Sequence, residues 1–291
     1  MRLSLLAGCL VIFAVTSGQS VPRRDYSVVH GSTAVLVANS TEAVVAADSV
    51  SLFNNAGEKG FHYGPPECKI FPLNRDTALA TTGVLGRVPS PGFPRSQSDW
   101  SISDVLHGIA PSLPSKGDAI DQASKLWAKE MIDRISPMAD RLVDSANPAP
   151  DYGVSTGLFV ALTAQHSVKY KVVDAYLTFK AKKPIDIRVE SSGEIRPSDA
   201  VHIEPIGGGK ESIQAYLIGA APREEQQEMD RQTLLHPVTP TQMENTAERL
   251  INLAIAQSKG HSKGPVAILL INSGGFQWVK PESCVPFAAN K

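Results

Sequence analysis

From residue 33 the chain reads TAVLVA, then a polar NSTE, then AVVAAD to residue 48. Two short apolar runs rich in Val and Ala around a polar turn predict a hairpin whose strands are buried on both faces. A loop containing Gly and Asn is expected from there to about Glu67. A second hairpin follows, with CKIFPL and ALATTG as its arms and NRDT as its turn. Residues 84–100 are dense in Pro, Ser and Gly and read as a loop.

The period then changes. SISDVLHGIA and the segment from Asp118 to Ala146 space their apolar residues as helices do, with Ile120, Ala123, Leu126, Trp127, Ile132 and Ile135 on one side. Pro137 should kink or end the second helix. Between residues 154 and 206, LFVALTA, VKYKVVDAYLTF, IDIRVES and AVHIEPI alternate apolar and polar positions and predict strands. A helix is expected over KESIQAYLIG. Another starts at Thr239, where a capping Thr, Pro240 at the first helical position and Gln242 form a capping box. Its buried stripe is Met243, Ala247, Leu250, Ile251, Ala254 and Ile255, and it ends near Ser258. PVAILLIN and FQWVKP close the chain as strands around SGG. Runs of strands alternating with runs of helices, rather than strict βαβ units, predict a layered α+β domain over residues 32–291.

The first residues, MRLSLLAGCLVIFAVTSGQS, place Arg2 before an apolar run from Leu3 to Val15 and small residues after it. This is the pattern of a secretory signal over residues 1–18, and the run is too short to span a bilayer. LAGC resembles a lipoprotein box at Cys9, but the apolar run continues past it. Residues 19–31 are too few to build anything and read as a short leader or propeptide. The expected location is secreted or periplasmic, with no membrane span. Cys68 and Cys284 then sit in an oxidising compartment, either as one disulfide or as two free thiols.

Lys plus Arg number 28 against 29 Asp plus Glu in 291 residues, for a net charge of −1. With no basic run, nucleic acid is not an expected partner. GHSKG at 260–264 matches the spacing of a nucleophile elbow, but a helix precedes it, a strand follows it, and no His lies beyond His261, so Ser262 lacks that context. GGGK at 207–210 lacks the remaining positions of a phosphate loop and reads as a glycine turn entering a helix. The seven His residues show no zinc-ligand spacing.

GSTAVLVANSTEAVVAADS followed by KIFPLNRDTALATTG resembles the first two hairpins of the proteasome β-subunit type of N-terminal nucleophile (Ntn) hydrolase. In that family a Gly precedes the nucleophile, the first hairpin ends in Ala-Ala-Asp-Ser, and a Lys opens the next strand before a glycine turn. Counting back without gaps from Asp48, the first mature residue falls on Ser32 rather than Thr33, with Gly31 before it. The strand-opening Lys falls on Lys69 and the turn Gly on Gly83. More weakly, VESSGEIRPSDAVHIEPIGGG and SKGPVAILLINSGGFQWV look like the family's later strand, glycine loop and closing hairpin.

The resemblance implies a four-layer αββα sandwich that cuts itself at Gly31–Ser32. It also implies an amidohydrolase or peptidase acting on a peptide or small amide, with no metal or organic cofactor. A Ser hydroxyl needs a base, and a freed Ser32 α-amine, with an ordinary pKa of about 8, is close enough to neutrality to serve. Lys69 would place a cation beside both groups, Asp48 would pair with it, and the Gly83 N–H would bind the oxyanion. The chain departs from the family at Val50, where Arg often stands, at Lys259, where an auxiliary Asp belongs, and at Gly208, where an auxiliary Ser belongs. Asp48 and Lys69 are equally readable as a structural ion pair, and Gly83 as a turn residue. The rival expectation is a noncatalytic scaffold of the same fold, assembling as a homo-oligomer with its leader still attached.

Overall fold

The computed structural model describes residues 26–31, 33–54, 62–89, 94–139, 152–178, 185–197, 199, 201–219, 239–258, 264–281 and 284. Ser32, Lys259 and Ser262 lie outside the described residues, as do the signal segment and Cys9.

In chain order the strands are β1 (Tyr26–Gly31), β2 (Thr33–Ala38), β3 (Ala43–Asp48), β4 (Val50–Asn54), β5 (His62–Pro66), β6 (Ile70–Pro72), β7 (Thr77–Pro89), β8 (Trp100–Ser101), β9 (Tyr152–Leu162), β10 (Val168–Leu177), β11 (Ile185–Ile195), β12 (His202–Gly207), β13 (Val266–Asn272) and β14 (Gly275–Lys280). The helices are α1 (Ile102–Ile109), α2 (Ile120–Ile135), α3 (Lys210–Leu217) and α4 (Pro240–Gln257). The class is mixed, with two antiparallel sheets. The larger runs β11-β10-β9-β7-β1-β4-β5, with β6 and β8 also paired to β7, and the smaller runs β12-β2-β3-β13-β14.

The smaller sheet is covered on both faces, which explains why β2, β3 and β13 are so continuously apolar. Val35, Val37 and Val44 point toward Ile213 of α3 and Met243 and Leu250 of α4. Their strand neighbours Leu36 and Val45 turn the other way, against Ile70, Leu158 and Val160 of the larger sheet. On the far side of that sheet, Leu79, Leu85 and Phe159 pack on Leu106 of α1 and on Trp127 and Met131 of α2. Trp127 is fully buried, with its ring edge-on to Phe159 at 6.0 Å.

The starts of α1 and α4 follow their caps. Ser101 closes a capping box with Asp104, and Thr239 closes one with Gln242, as the sequence predicts for the latter. Pro137 lies in the 3₁₀ turn that ends α2. The buried stripe of α2 includes Met131, with Leu126 and Ile132 only half-buried. Ile255 of α4 is half-buried, and Thr246 is buried instead.

Three segments differ from expectation. The leader was expected to build nothing, yet its residues 26–31 form β1, inside the larger sheet between β4 and β7. The loop expected after Asp48 holds β4 and β5. The loop expected from residue 84 is instead the second half of β7, which extends to Pro89 because β1 and β8 supply its backbone partners. In the last two cases a pairing distant in sequence, with β1 in both, outweighs the local Gly and Pro signal. Cys68 and Cys284 form a disulfide, with Cα atoms 4.6 Å apart. Among the described residues, no helix is long and apolar enough to cross a membrane.

Candidate functional site

The chain passes from one sheet to the other between Gly31 and Thr33. Gly31 ends β1 in the larger sheet, and Thr33 opens β2 in the smaller one. Of the four candidate residues, Asp48, Lys69 and Gly83 are described, and all three meet the chain beside that crossing.

Asp48 ends β3, whose register with β2 brings Ala47 opposite Ala34. One carboxylate oxygen, Oδ1, accepts from the backbone N–H of Thr33 at 3.0 Å and from Lys69 Nζ at 2.8 Å. Lys69 stands immediately before β6 and donates a second hydrogen bond from Nζ to the carbonyl of Val50, also at 2.8 Å. Both members of the ion pair are wholly out of solvent. Burial pulls the Lys69 ammonium below its ordinary pKa, and the neighbouring Asp48 carboxylate, then Glu67, oppose that pull. The cation therefore ties together the end of β3, the start of β4 and the start of β6. A buried ammonium is tolerable only with such partners.

Gly83 faces Gly31 across the β1–β7 pairing and Ser155 across the β7–β9 pairing. Its φ of +78° lies in the left-handed region, and a Cβ there would sit 2.3 Å from the carbonyl oxygen of Val154. Glycine is thus required by conformation and by space alike. The Ser155 hydroxyl reaches the carbonyls of Thr82 and Val84, at 3.1 and 3.3 Å, on either side of Gly83. That contact restrains the Thr82–Gly83 peptide plane, which carries the Gly83 N–H, and the next-but-one plane after it.

Three participants were not anticipated from the sequence. Ser155 lies in a strand whose alternation gives no hint of a contact so distant in sequence. Glu67, beside the disulfide, carries a carboxyl that burial pushes up in pKa while Lys69 lowers it. The third is the leader itself, whose adjacent Val28 and Val29 in YSVVHG are the only cue to a strand, and both are buried. The glycine loop behaves as expected: Gly209 precedes α3, and its N–H donates to Thr33 Oγ1 at 3.0 Å. This anchors the residue that follows position 32 from the opposite side. The hydroxyls of Ser49, Thr81 and Thr82 are buried without a hydrogen-bond partner among the described residues. Among those residues, no cluster of His, Cys, Asp or Glu is placed to hold a metal ion.

The arrangement holds a cation and a carboxylate beside the ends of β1 and β2, at Gly31 and Thr33. No protein-family model matches the chain, and no curated protein matches it.

Proposed function

We propose that this protein is an exported amidohydrolase of the N-terminal nucleophile type, of αββα architecture, that matures by cutting its own Gly31–Ser32 bond. The observation that carries the reading is the buried Lys69–Asp48 pair, whose carboxylate also accepts the N–H of Thr33, next to that bond.

In maturation the Ser32 hydroxyl oxygen attacks the Gly31 carbonyl carbon. The C–N bond breaks, the acyl group passes to the oxygen as an ester, and the hydroxyl proton ends on the released α-amine. Water then adds to the ester carbonyl, and the C–O bond breaks. The leader leaves with a Gly31 carboxylate, and Ser32 regains its hydroxyl proton. In turnover the free α-amine of Ser32 takes the hydroxyl proton as the oxygen attacks a substrate amide, and that proton goes to the departing amine. Water then cleaves the acyl ester, releasing the acid and returning the hydroxyl proton to Ser32. Lys69 lowers the amine's proton affinity by its charge. Asp48 holds Lys69 in place, and the Gly83 N–H stabilises the oxyanion, a contribution typically worth a few kcal/mol. Peptides or small amides are the substrate class.

The second reading is the uncut scaffold. It is favoured by one observation: β1 is paired on both edges and contributes buried Val28 and Val29 to the core, so the leader is a working part of the sheet.

The intact mass and N-terminal sequence of the exported protein separate the two. A start at Ser32 in the wild type that is lost in Ser32→Ala supports the enzyme. A start near residues 19–21 in the wild type sinks it.

A further inference from the structure

β1 shows how an extended chain lies on the acyl side of the Gly31–Ser32 bond. It runs antiparallel to β4 on one edge and to β7 on the other, and its last residue is opposite Gly83. Gly31 has no left-handed backbone angle, in contrast to Gly83, so its conformation does not call for glycine. Space does. A Cβ at Gly31 would lie 2.7 Å from Leu85 Cδ1, 3.2 Å from Leu85 Cγ and 3.2 Å from Lys69 Cε.

Neither neighbour is free to withdraw. Leu85 is fully buried in the cluster formed with Val29, Trp100 and Leu106. Lys69 is fastened by its bonds to Asp48 and Val50. In a close-packed interior, moving Leu85 means moving its neighbours as well. The pairing of Gly31 with Gly83 of β7 also restrains residue 31 from turning its side chain elsewhere, because the sheet sets the direction of every Cβ.

We propose that Leu85, backed by the Lys69 stem, is a specificity-determining residue that closes the seat for the acyl-side residue of the scissile bond. This enzyme would then cut after glycine and act on extended glycyl amides. The inference rests on the Ntn reading above and deepens it. That reading requires only that amides be cut, whereas this one fixes which residue precedes the cut.

The test uses the full chain and two probes, its own leader and an acylated tripeptide anilide ending in either Gly or Leu. Gly31→Leu should leave the chain uncut, Gly31→Ala should slow scission, and Leu85→Ala added to Gly31→Leu should restore it. In trans, the mature wild type should hydrolyse the glycyl anilide on the order of a hundredfold faster than the leucyl one. Leu85→Ala should largely erase that ratio, with Leu85→Val as the milder variant if the first does not fold. A wild type that starts at Ser32 but cuts the leucyl anilide, or its Gly31→Leu leader, as fast as the glycyl form overturns the inference and leaves the enzyme reading intact. If the mature protein cuts neither anilide, the leader series decides. A wild type that is never cut at Ser32 overturns both.

Discussion

Lys69 Nζ and Asp48 Oδ1 lie 2.8 Å apart, with neither side chain touching solvent. Truncating one partner leaves the other charge buried without its counter-charge. Lys69→Ala should therefore destabilise the Ser32→Ala chain by about 3 to 5 kcal/mol in urea unfolding. Adding Asp48→Asn should recover part of that loss, because the orphaned charge goes with it. A cost near zero for Lys69→Ala would show that the pair is not buried as described.

Glu67 is expected to make stability depend on pH in one direction. Its folded pKa is raised above 4.5, chiefly by burial, with Lys69 opposing. The folded state therefore holds a proton that the unfolded state has already released. The contribution is complete below the unfolded pKa and is lost as pH rises through the folded one. Urea midpoints of wild type and Glu67→Gln, followed from about pH 4 to about pH 7, should diverge in that direction, with the variant falling less. Parallel curves would sink the prediction.

Gly83→Ala meets both a left-handed backbone and the Val154 carbonyl oxygen 2.3 Å from the new Cβ. The backbone strain alone costs about 1 to 3 kcal/mol, and the clash adds to it. A fall in thermal midpoint together with loss of scission at Gly31–Ser32 is the expected result.

Ser155→Ala should act more selectively. Its hydroxyl bridges the carbonyls of Thr82 and Val84, so the stability cost should be about 1 kcal/mol. If those contacts position the Gly83 N–H for an oxyanion, scission of the folded chain should slow while substrate KM stays nearly level. Ser155→Thr should restore part of the rate. Unchanged scission in a folded Ser155→Ala protein would confine the residue to a structural role.

The Cys68–Cys284 disulfide closes a loop with a sequence separation of 216. Cys284→Ser or reduction should lower unfolding free energy by roughly 2 to 5 kcal/mol, measured in urea under matched conditions. Because Cys68 adjoins Lys69, scission should be followed alongside stability. No change in urea midpoint would mean that the bond contributes nothing to holding the last strands.

Much of the fold was legible in local pattern. The β2–β3 hairpin, the capping box and most of the stripe of α4, and the closing β13–β14 hairpin each carry their own signal within a few residues. Of the candidate site, Asp48, Lys69 and Gly83 were singled out only by the resemblance of the two hairpins to a known family, and the structure places all three beside the stretch between Gly31 and Thr33. Ser155, Glu67 and Leu85 were not, because nothing local distinguishes a buried Ser, Glu or Leu that touches a functional residue from one that does not.

The leader shows where such reading stops. Hydrophobic periodicity and turn chemistry act between near neighbours, so they specify that residues 33–48 fold back on themselves. They cannot specify that residues 26–31 enter between β4 and β7, since those partners are brought together only when the larger sheet closes. The same closure gives Gly31 its meaning. In the sequence it is a small residue before a serine, and in the packed sheet it is a position where Leu85 leaves no room for a side chain.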